Sequence, residues 1–424
     1  MNVNRRTARA SLSDGGWLLA LILTVLALAF SSGCGPKPTP TATPTKTPVP
    51  VPLSTATPAV TPTVAASPTS TLAPTKTPEP SATPTEAASP TPTPLPLIEM
   101  GPDINPLTGL KVDPSKLERR PLGIKVPNYP PQARPQSGLS YADVVIEHEA
   151  EAYLTRFTAI FLGNDVSPEL GPVRSLRLID SELMPIFRAV LVASGGHPVV
   201  NVRLTAGKEW AAGYKRIICP ESPFLGDGGA MRRIAKEDQL YELTLYTDTE
   251  LLWEVCTDRS INGRQDFYGM WVFSESAPVG GASATHAKIV YKPDISETEY
   301  RYDLASHTYK RFDLGEPLVD ALTGAQIAPA NVMVLYVNHV DTDIAADTHD
   351  PNHTWYSVSI QLWGEGSGKL LRDGQVYSGK WVRVNPQQAD DRLIFLDGEG
   401  NQVPLKPGPT WIQLVRTDGN VTID

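Results

Sequence analysis

A long segment near the N-terminus has a composition that cannot form a hydrophobic core. From Gly35 to about Pro96 the chain is dominated by Pro, Thr, Ser and Ala, with recurring Thr-Pro and Pro-Thr pairs. Such a segment buries too little apolar surface to offset the conformational entropy that folding removes. Proline favours polyproline II at ~3.1 Å per residue, which gives a reach on the order of 190 Å. We therefore predict a disordered Pro/Thr-rich linker over residues 34–100.

The residues before this linker have the layout of an export signal. Three arginines precede an apolar run from Trp17 to Phe30, and the small residues Ser31, Ser32 and Gly33 follow it. The run is shorter than the roughly 20 apolar residues that a membrane-spanning helix needs. We therefore predict that residues 1–33 are a cleaved signal peptide.

Cys34 directly follows these small residues. The Gly33-Cys34 junction resembles a bacterial lipobox, in which the cysteine is acylated and becomes the new N-terminus. A diacylated cysteine meets the two-chain requirement for stable membrane anchoring. The alternatives are ordinary secretion with an unmodified Cys34 and an uncleaved signal anchor. The lipoprotein interpretation predicts a protein held at the cell membrane, on its extracytoplasmic face, with lipidation at Cys34.

Charge and cysteine content narrow the classes of partner. The formal net charge is −9, and it becomes −11 beyond residue 33, because residues 1–33 hold three Arg and one Asp. An acidic chain of this kind lacks the basic surface that nucleic acid requires.

Cys219 and Cys256 form a candidate disulfide, with two buried free thiols as the alternative. No Cys/His spacing matches a zinc site, so we expect no metal and no cofactor.

Beyond the linker, the sequence divides into two predicted domains. Residues 101–273 contain apolar strand patterns at Leu122–Val126, Ala142–Glu147 and Leu154–Leu162. A helical periodicity covers Val173–Val192, although Pro185 should break or kink a helix there. Strands followed by a helix predict a mixed α/β N-terminal domain, so that the fold class of the whole chain is α+β.

Residues 282–424 are predicted to form a mostly β C-terminal domain. Their β-branched and aromatic stretches alternate with turn signals, and Asp373-Gly374 and Asp397-Gly398 are candidate hairpin turns. We expect a small sandwich or barrel. The Gly-, Ala- and Ser-rich stretch between residues 274 and 283 marks the predicted boundary between the two domains.

Several motifs in both domains carry a family resemblance. They are Asn105–Gly109, Arg134–Asp143, Thr155–Phe157, Gly171–Arg177, Tyr309–Arg311, Gly379–Trp381 and Pro407–Ile412. Together they resemble the YerB-like lipoproteins, a family described by domains of unknown function. The similarity covers essentially everything after residue 100. It implies two domains on a lipid-anchored stalk, and it supplies no reaction.

The polar residues of the first domain's motifs are the candidate ligand-binding site. They are Arg134, Gln136, Glu147, Arg156, Arg174 and Arg177. Arg174 and Arg177 are three apart on the predicted helix, hence neighbours on one face, where they could hold a carboxylate or phosphate. The alternative is a structural ion network in which Asp143 and Glu147 neutralise these arginines.

Two further patterns are weaker candidates. Ser194 and His197 bracket two glycines but lack the nucleophile-elbow pattern, so a tight turn is the favoured interpretation over a hydrolase. His148 lies between Glu147 and Glu149, and strand alternation would direct it away from both.

The leading hypothesis is a lipid-anchored extracytoplasmic protein that binds an envelope or cell-wall component, either a protein or a glycan. One rival is a cell-wall-directed hydrolase or transferase that uses Glu147 with the arginines. Another is a structural or assembly factor without a ligand. The catalytic residues of such an enzyme are not identifiable from the sequence.

Overall fold

The computed structural model describes residues 95–221, 223–235, 237, 239–347 and 353–424. In this part of the chain strands far outnumber helices, so the fold is mostly β. The strands are β1 Leu122–Pro127, β2 Val144–Glu149, β3 Thr155–Phe161, β4 Val190–Val192, β5 Ile217–Ile218, β6 Met231–Arg233, β7 Leu245–Thr247, β8 Ala282–Ser283, β9 His286–Lys292, β10 Ser296–Asp303, β11 Thr308–Asp313, β12 Glu316–Pro317, β13 Asn331–Val337, β14 His339–Asp347, β15 Trp355–Ile360, β16 Glu365–Arg372, β17 Gln375–Val384, β18 Arg392–Leu396, β19 Thr410–Arg416 and β20 Asn420–Ile423.

The α-helices of the described residues all lie in the first predicted domain. They are α1 Asp180–Phe187, α2 Pro198–Thr205 and α3 Thr249–Asp258. Short 3-10 helices cover Pro114–Glu118, Pro131–Ala133, Leu139–Tyr141, Glu209–Ala211 and Tyr241–Leu243. Within the described ranges, no helix combines the length and apolarity needed to cross a bilayer.

One large sheet contains strands from both predicted domains. Its order is β18-β17-β16-β13-β19-β2-β3-β1-β4-β5, and β8 adds to β17. The junction is β19, which runs parallel to β13 on one side and to β2 on the other. In this register Gln413 lies opposite Glu147. Hydrogen bonds therefore connect the motifs around residue 147 directly to the C-terminal part of the chain.

A second sheet packs against one face of the large sheet. Its order is β12-β11-β10-β9-β20. The buried rings of Tyr300 and Tyr309 belong to the same apolar core as Phe157 and Trp411, whose ring centroids are 5.3 Å apart. The opposite face is covered by α1 and its neighbours, with Phe187 among the core residues. Because both faces are covered, every residue of β1, β2 and β3 is buried.

The three strands predicted first along the chain are confirmed, but the helix predicted over 173–192 is wrong in its extent. The helix α1 begins only at Asp180, because the preceding segment is extended. In that segment Val173 N donates to Leu245 O at 2.7 Å, and Arg174 N donates to Lys125 O at 2.9 Å. Pro185 lies in the last turn of α1, and Arg188, with a φ of 50°, ends the helix.

The strands of the C-terminal segment distribute over several sheets. Some extend the large sheet, others form the whole of the five-stranded sheet, and β14 and β15 form a separate two-stranded hairpin. The predicted turn at Asp373-Gly374 is confirmed between β16 and β17. Its φ values of 52° and 70° are those of a two-residue primed turn, which glycine tolerates without cost.

Candidate functional site

Glu147 is the predicted site residue with the most complete set of partners. Its side chain is fully buried, and its Oε2 accepts a hydrogen bond from Arg311 Nη1 at 2.8 Å. Arg311 also donates to Asp313 Oδ1 and to the Tyr300 hydroxyl, each at 2.8 Å. Burial alone would lower the pKa of Arg311, but the Asp313 and Glu147 carboxylates raise it well above its ordinary value. The guanidinium is therefore held charged between the two sheets.

Arg134 and Gln136 lie near Glu147, around the end of β1. Asn128 donates to Glu147 Oε1 at 3.1 Å and receives a hydrogen bond from Arg134 Nε at 3.1 Å. Gln136 is fully buried, and its Nε2 donates to Pro127 O at 2.9 Å. Glu147 and Arg134 thus belong to one largely buried polar network, centred on the pair of Glu147 and Arg311, whereas Gln136 bonds to the backbone at the end of β1.

Arg311 and Asp313, which complete this network, were not among the candidate site residues. They alternate with exposed or half-buried neighbours on β11, where every second side chain points inward. One sequence signal could have identified Arg311. It is a charged residue at an inward position of the strand, in the Tyr309–Arg311 motif that carried the family resemblance. Strand alternation alone does not say which buried carboxylate such an arginine meets.

The remaining candidates lie on the opposite face of the large sheet. Arg156 lies opposite His148 in the pairing of β2 with β3. Its side chain is therefore on the face of the sheet opposite to the one that carries the Glu147 side chain. Arg174 and Arg177 lie in the extended segment before α1 rather than on a helix. The six predicted residues therefore separate into two groups, and Glu147 does not share a cleft with the three arginines.

These three arginines, Arg156, Arg174 and Arg177, form the arginine cluster. Arg177 pairs with Glu151, with Nε 2.5 Å from Oε1 and Nη2 2.8 Å from Oε2. Arg156 and Arg174 each donate through Nη1 to one backbone carbonyl, at 3.0 and 3.3 Å. In the described part of the chain, the buried Nε atoms of both have no acceptor. The cluster thus holds hydrogen-bond donors that a further group would satisfy.

The electrostatics of the arginine cluster favour a negatively charged ligand. Burial, and then repulsion from Arg177, lower the pKa of Arg156 well below its ordinary value. Burial also lowers the pKa of Arg174. The nearby Asp180 is already paired with the fully buried Lys125, at 2.8 Å. An anion placed among the guanidinium groups would offset this unfavourable concentration of positive charge.

A cavity of about 250 Å³ opens beside Arg177. Its wall includes Ser175, His197, Glu221 and Ser357. The Ser357 hydroxyl is buried and has no hydrogen-bond partner among the described residues. The cavity is therefore a polar space next to the arginine cluster.

Asp143 does not neutralise any of the candidate arginines. Its carboxylate accepts hydrogen bonds from Asn105 Nδ2 at 2.8 Å and from the backbone N–H groups of Leu162 and Gly163, at 2.5 and 3.0 Å. Glu147 is engaged by Arg311. The ion network expected as an alternative thus exists around Glu147, where Arg134 joins it through Asn128 and the counter-charge is Arg311, which was not a candidate.

The Ser194–His197 segment is a turn that leads into α2. Gly195 has a φ of 153°, and the His197 ring accepts a hydrogen bond from Val199 N at 3.3 Å, which caps the helix. The side chain of His197 therefore has a structural role at this helix terminus. This arrangement agrees with the favoured tight-turn interpretation.

The other candidate histidine and the two cysteines are buried. His148 Nε2 lies 2.8 Å from Lys125 Nζ, on the side of β2 away from Glu147, as strand alternation predicts. Cys219 and Cys256 are free thiols in the structure, which corresponds to the alternative of two buried thiols rather than to the candidate disulfide. Burial raises the pKa of each thiol to about 12. Among the residues that the structure covers, no three His, Cys, Asp or Glu side chains group as metal ligands would.

The predicted signal peptide, Cys34 and the linker up to residue 94 lie outside the described residues. Lipidation at Cys34 therefore stays a prediction from sequence.

Comparison with known proteins agrees with the motif resemblance. Residues 107–262 match the model of a protein of unknown function (DUF3048) N-terminal domain, and residues 287–412 match the corresponding C-terminal domain. "Putative lipoprotein YerB" of Bacillus subtilis (strain 168) is 30% identical over 314 residues, which are 73% of this chain and 85% of that protein. The crystal structure of the YerB protein from Bacillus subtilis superposes with a TM-score of 0.59 at 27% identity. It covers 75% of this chain and 99% of that one. The chain therefore belongs to the DUF3048 family of YerB-like proteins, whose function is unknown.

Proposed function

We propose that this chain is a lipid-anchored extracytoplasmic protein that binds a negatively charged group of an envelope component or partner protein. The arginine cluster is the proposed binding site. The observation that carries this proposal is the pair of buried donors, Arg156 Nε and Arg174 Nε, which have no acceptor among the described residues. Native proteins rarely leave buried donors unpaired, and here two such donors lie within one cluster of arginines.

A carboxylate or phosphate fits these donors because guanidinium groups bind planar or tetrahedral oxyanions through paired N–H bonds. Glu151 already engages Arg177 in this manner. An incoming anion would therefore meet Arg156 and Arg174 first. It would also offset the burial and the repulsion from Arg177 that together lower the pKa of Arg156.

The proposed anchor rests on the sequence pattern that ends at Cys34 and on the name of the Bacillus subtilis relative, which is called a lipoprotein. The extracytoplasmic face follows from the export signal. Metabolic labelling with a fatty acid should mark the wild-type protein and not the Cys34→Ser variant. Equal labelling of both proteins would remove the anchor from the proposal.

We also propose that residues 101–273 and 282–424 are the two domains, with the first of mixed α/β type. Two observations support this division. The family models match residues 107–262 and 287–412 separately, and the described α-helices fall in the first of these ranges.

Phosphate and acetate are the probes for the arginine cluster, at millimolar concentration and constant ionic strength. A ligand that binds only the folded protein raises its melting temperature in proportion to RT ln(1 + [L]/Kd). We expect phosphate, acetate or both to raise the melting temperature of the wild type, and not of Arg156→Gln or Arg174→Gln. The matched control is Arg264→Gln, because Arg264 is exposed and pairs with the exposed Glu118.

The rival roles give different results in this experiment. A variant that keeps the wild-type melting temperature but loses the response to the probes supports a binding site. A large loss of stability in Arg174→Gln, with no response of the wild type to either probe, supports an assembly factor without a ligand. Hydrolysis of cell-wall material that depends on Glu147 would favour the enzyme.

A further inference from the structure

A groove separate from the arginine cluster runs beside Arg416, at the end of β19. Two cavities of about 240 Å³ each share Glu149, Tyr153 and Arg416 in their walls. Taken together they reach the range of about 300–1,000 Å³ that is typical of ligand pockets. Tyr356 of β15 lines one end, and Asp418 lines the other. We call this feature the tyrosine groove.

The backbone that presents Tyr153 to this groove is strained. Ala152 and Tyr153 have φ values of 59° and 61°, so two consecutive residues other than glycine occupy the left-handed region. This conformation costs roughly 1–2 kcal/mol for each such residue. The Tyr153 ring is nevertheless 39% exposed and lies over the Arg416 guanidinium, with Cζ 4.7 Å from its centroid. The φ values of Ala152 and Tyr153 are those of a primed two-residue turn between β2 and β3, which is closed by Leu154 N donating to Glu151 O at 2.9 Å and which places the Tyr153 ring in the wall of the groove.

The charge in the tyrosine groove differs from that of the arginine cluster. Glu149 binds Arg416 through two hydrogen bonds, of 2.8 and 2.9 Å, and Asp341 lies 3.6 Å from the same guanidinium. The walls of the two cavities thus hold three carboxylates, those of Glu149, Asp341 and Asp418, and one arginine. The groove would therefore repel an anion and suits a neutral ligand with hydroxyl groups.

The exposed rings indicate what kind of neutral ligand fits. Tyr153 and Tyr356, which is 43% exposed, offer apolar faces with a polar hydroxyl at one end. Trp355 lines the same cavity as Tyr153 and Tyr356. Lys292 Nζ lies 5.3 Å from the centroid of the Trp355 ring. A sugar ring has the complementary chemistry, because its C–H face packs on an aromatic ring while its hydroxyls donate to carboxylates.

We propose that the tyrosine groove binds neutral sugar rings of an envelope oligosaccharide. This inference rests on the proposed function only in taking the protein to lie at the cell envelope. Its residues and its ligand chemistry differ from those of the arginine cluster. A protein partner is the competing occupant. The concave shape and the carboxylates at its centre favour the sugar, because the centre of a protein interface is usually depleted of charge.

Titration calorimetry with three neutral oligosaccharides, chitotetraose, cellotetraose and mannotetraose, tests this proposal on the folded protein. We expect at least one to bind the wild type, and Tyr153→Asn to bind it at least about tenfold more weakly. Asparagine tolerates the left-handed backbone, so this variant removes the ring while keeping the turn. The matched control is Tyr268→Asn, since Tyr268 is 88% exposed and outside the groove; it should bind as the wild type does.

Absence of binding to all three sugars, or equal binding by Tyr153→Asn and the wild type, would overturn the proposal. Tyr356→Ser provides a second variant if Tyr153→Asn fails to fold. Arg156→Gln separates this site from the arginine cluster. It should keep the sugar affinity and lose the response to phosphate and acetate, so each site can fail without the other.

Discussion

Arg311 Nη1 lies 2.8 Å from Glu147 Oε2, and both side chains are completely buried. The two residues are 164 positions apart in the chain, and the pair joins the five-stranded sheet to the large sheet. Asp313 and Tyr300 also accept hydrogen bonds from the guanidinium. Because a buried charge without a partner is costly, the two sheets depend on each other through this contact.

Arg311→Met should lower the free energy of unfolding by about 3–5 kcal/mol, since it leaves the buried Glu147 carboxylate without its counter-charge. Urea unfolding followed by tryptophan fluorescence measures the loss. The control is Arg264→Met, whose exposed ion pair with Glu118 should contribute less than about 1 kcal/mol. Equal losses in the two variants would contradict the assigned role of Arg311.

The two cysteines should react only after unfolding. Cys219 and Cys256 are buried, and burial raises the pKa of each thiol to about 12. Because the thiolate is the nucleophile, iodoacetamide at pH 8 should label neither cysteine in the native protein. In urea without reductant, mass spectrometry should find both of them labelled. If labelling in urea requires a reductant, the two cysteines form a disulfide instead.

Asp143 should make stability depend on pH in the acidic range. Burial raises its pKa from 3.8 to about 6, and the three N–H donors around it offset only part of this rise. Between these two pH values the folded protein binds more protons than the unfolded chain. The contribution of Asp143 to the unfolding free energy therefore decreases as the pH rises from about 4 to about 6.

The Asp143→Asn variant tests this pH dependence. The unfolding free energy of the wild type minus that of the variant should decrease by about 2 kcal/mol across this pH window. Urea unfolding at several pH values gives the difference directly. Asp103→Asn, at a half-buried position, is the control variant. A constant difference for Asp143→Asn would mean that the carboxyl titrates alike in the folded and unfolded states.

Local sequence patterns predicted the central strands well, because a short apolar run such as Leu122–Val126 is compatible with few types of secondary structure other than a buried strand. The same run contains Lys125, which is fully buried against Asp180, a residue 55 positions away. No local signal identifies a partner at that distance. The separation of Glu147 from Arg156 was predictable in part, since strand alternation fixes the face of each residue once the register is known. The register itself depends on long-range pairing.

The helix prediction failed for a related reason. Apolar residues at helical spacing begin at Val173, but the backbone at this point pairs with Leu245 and then with Lys125. These tertiary hydrogen bonds override the local periodicity. As a result, Arg174 extends the arginine cluster from a loop rather than from a helix face, which the sequence pattern alone could not reveal.

The strained turn before β3 provides the last prediction. Ala152→Gly removes the Cβ that makes a φ of 59° unfavourable, a relief of roughly 1–2 kcal/mol, while glycine adds about 0.5–1 kcal/mol of chain entropy to be lost on folding. We expect a net gain of up to about 1 kcal/mol in the unfolding free energy, measured in urea. Ala305→Gly is the control, because Ala305 is exposed in a turn outside the left-handed region and should lose stability. If both variants lose stability equally, the left-handed backbone at Ala152 costs no more in the folded protein than an ordinary turn position does.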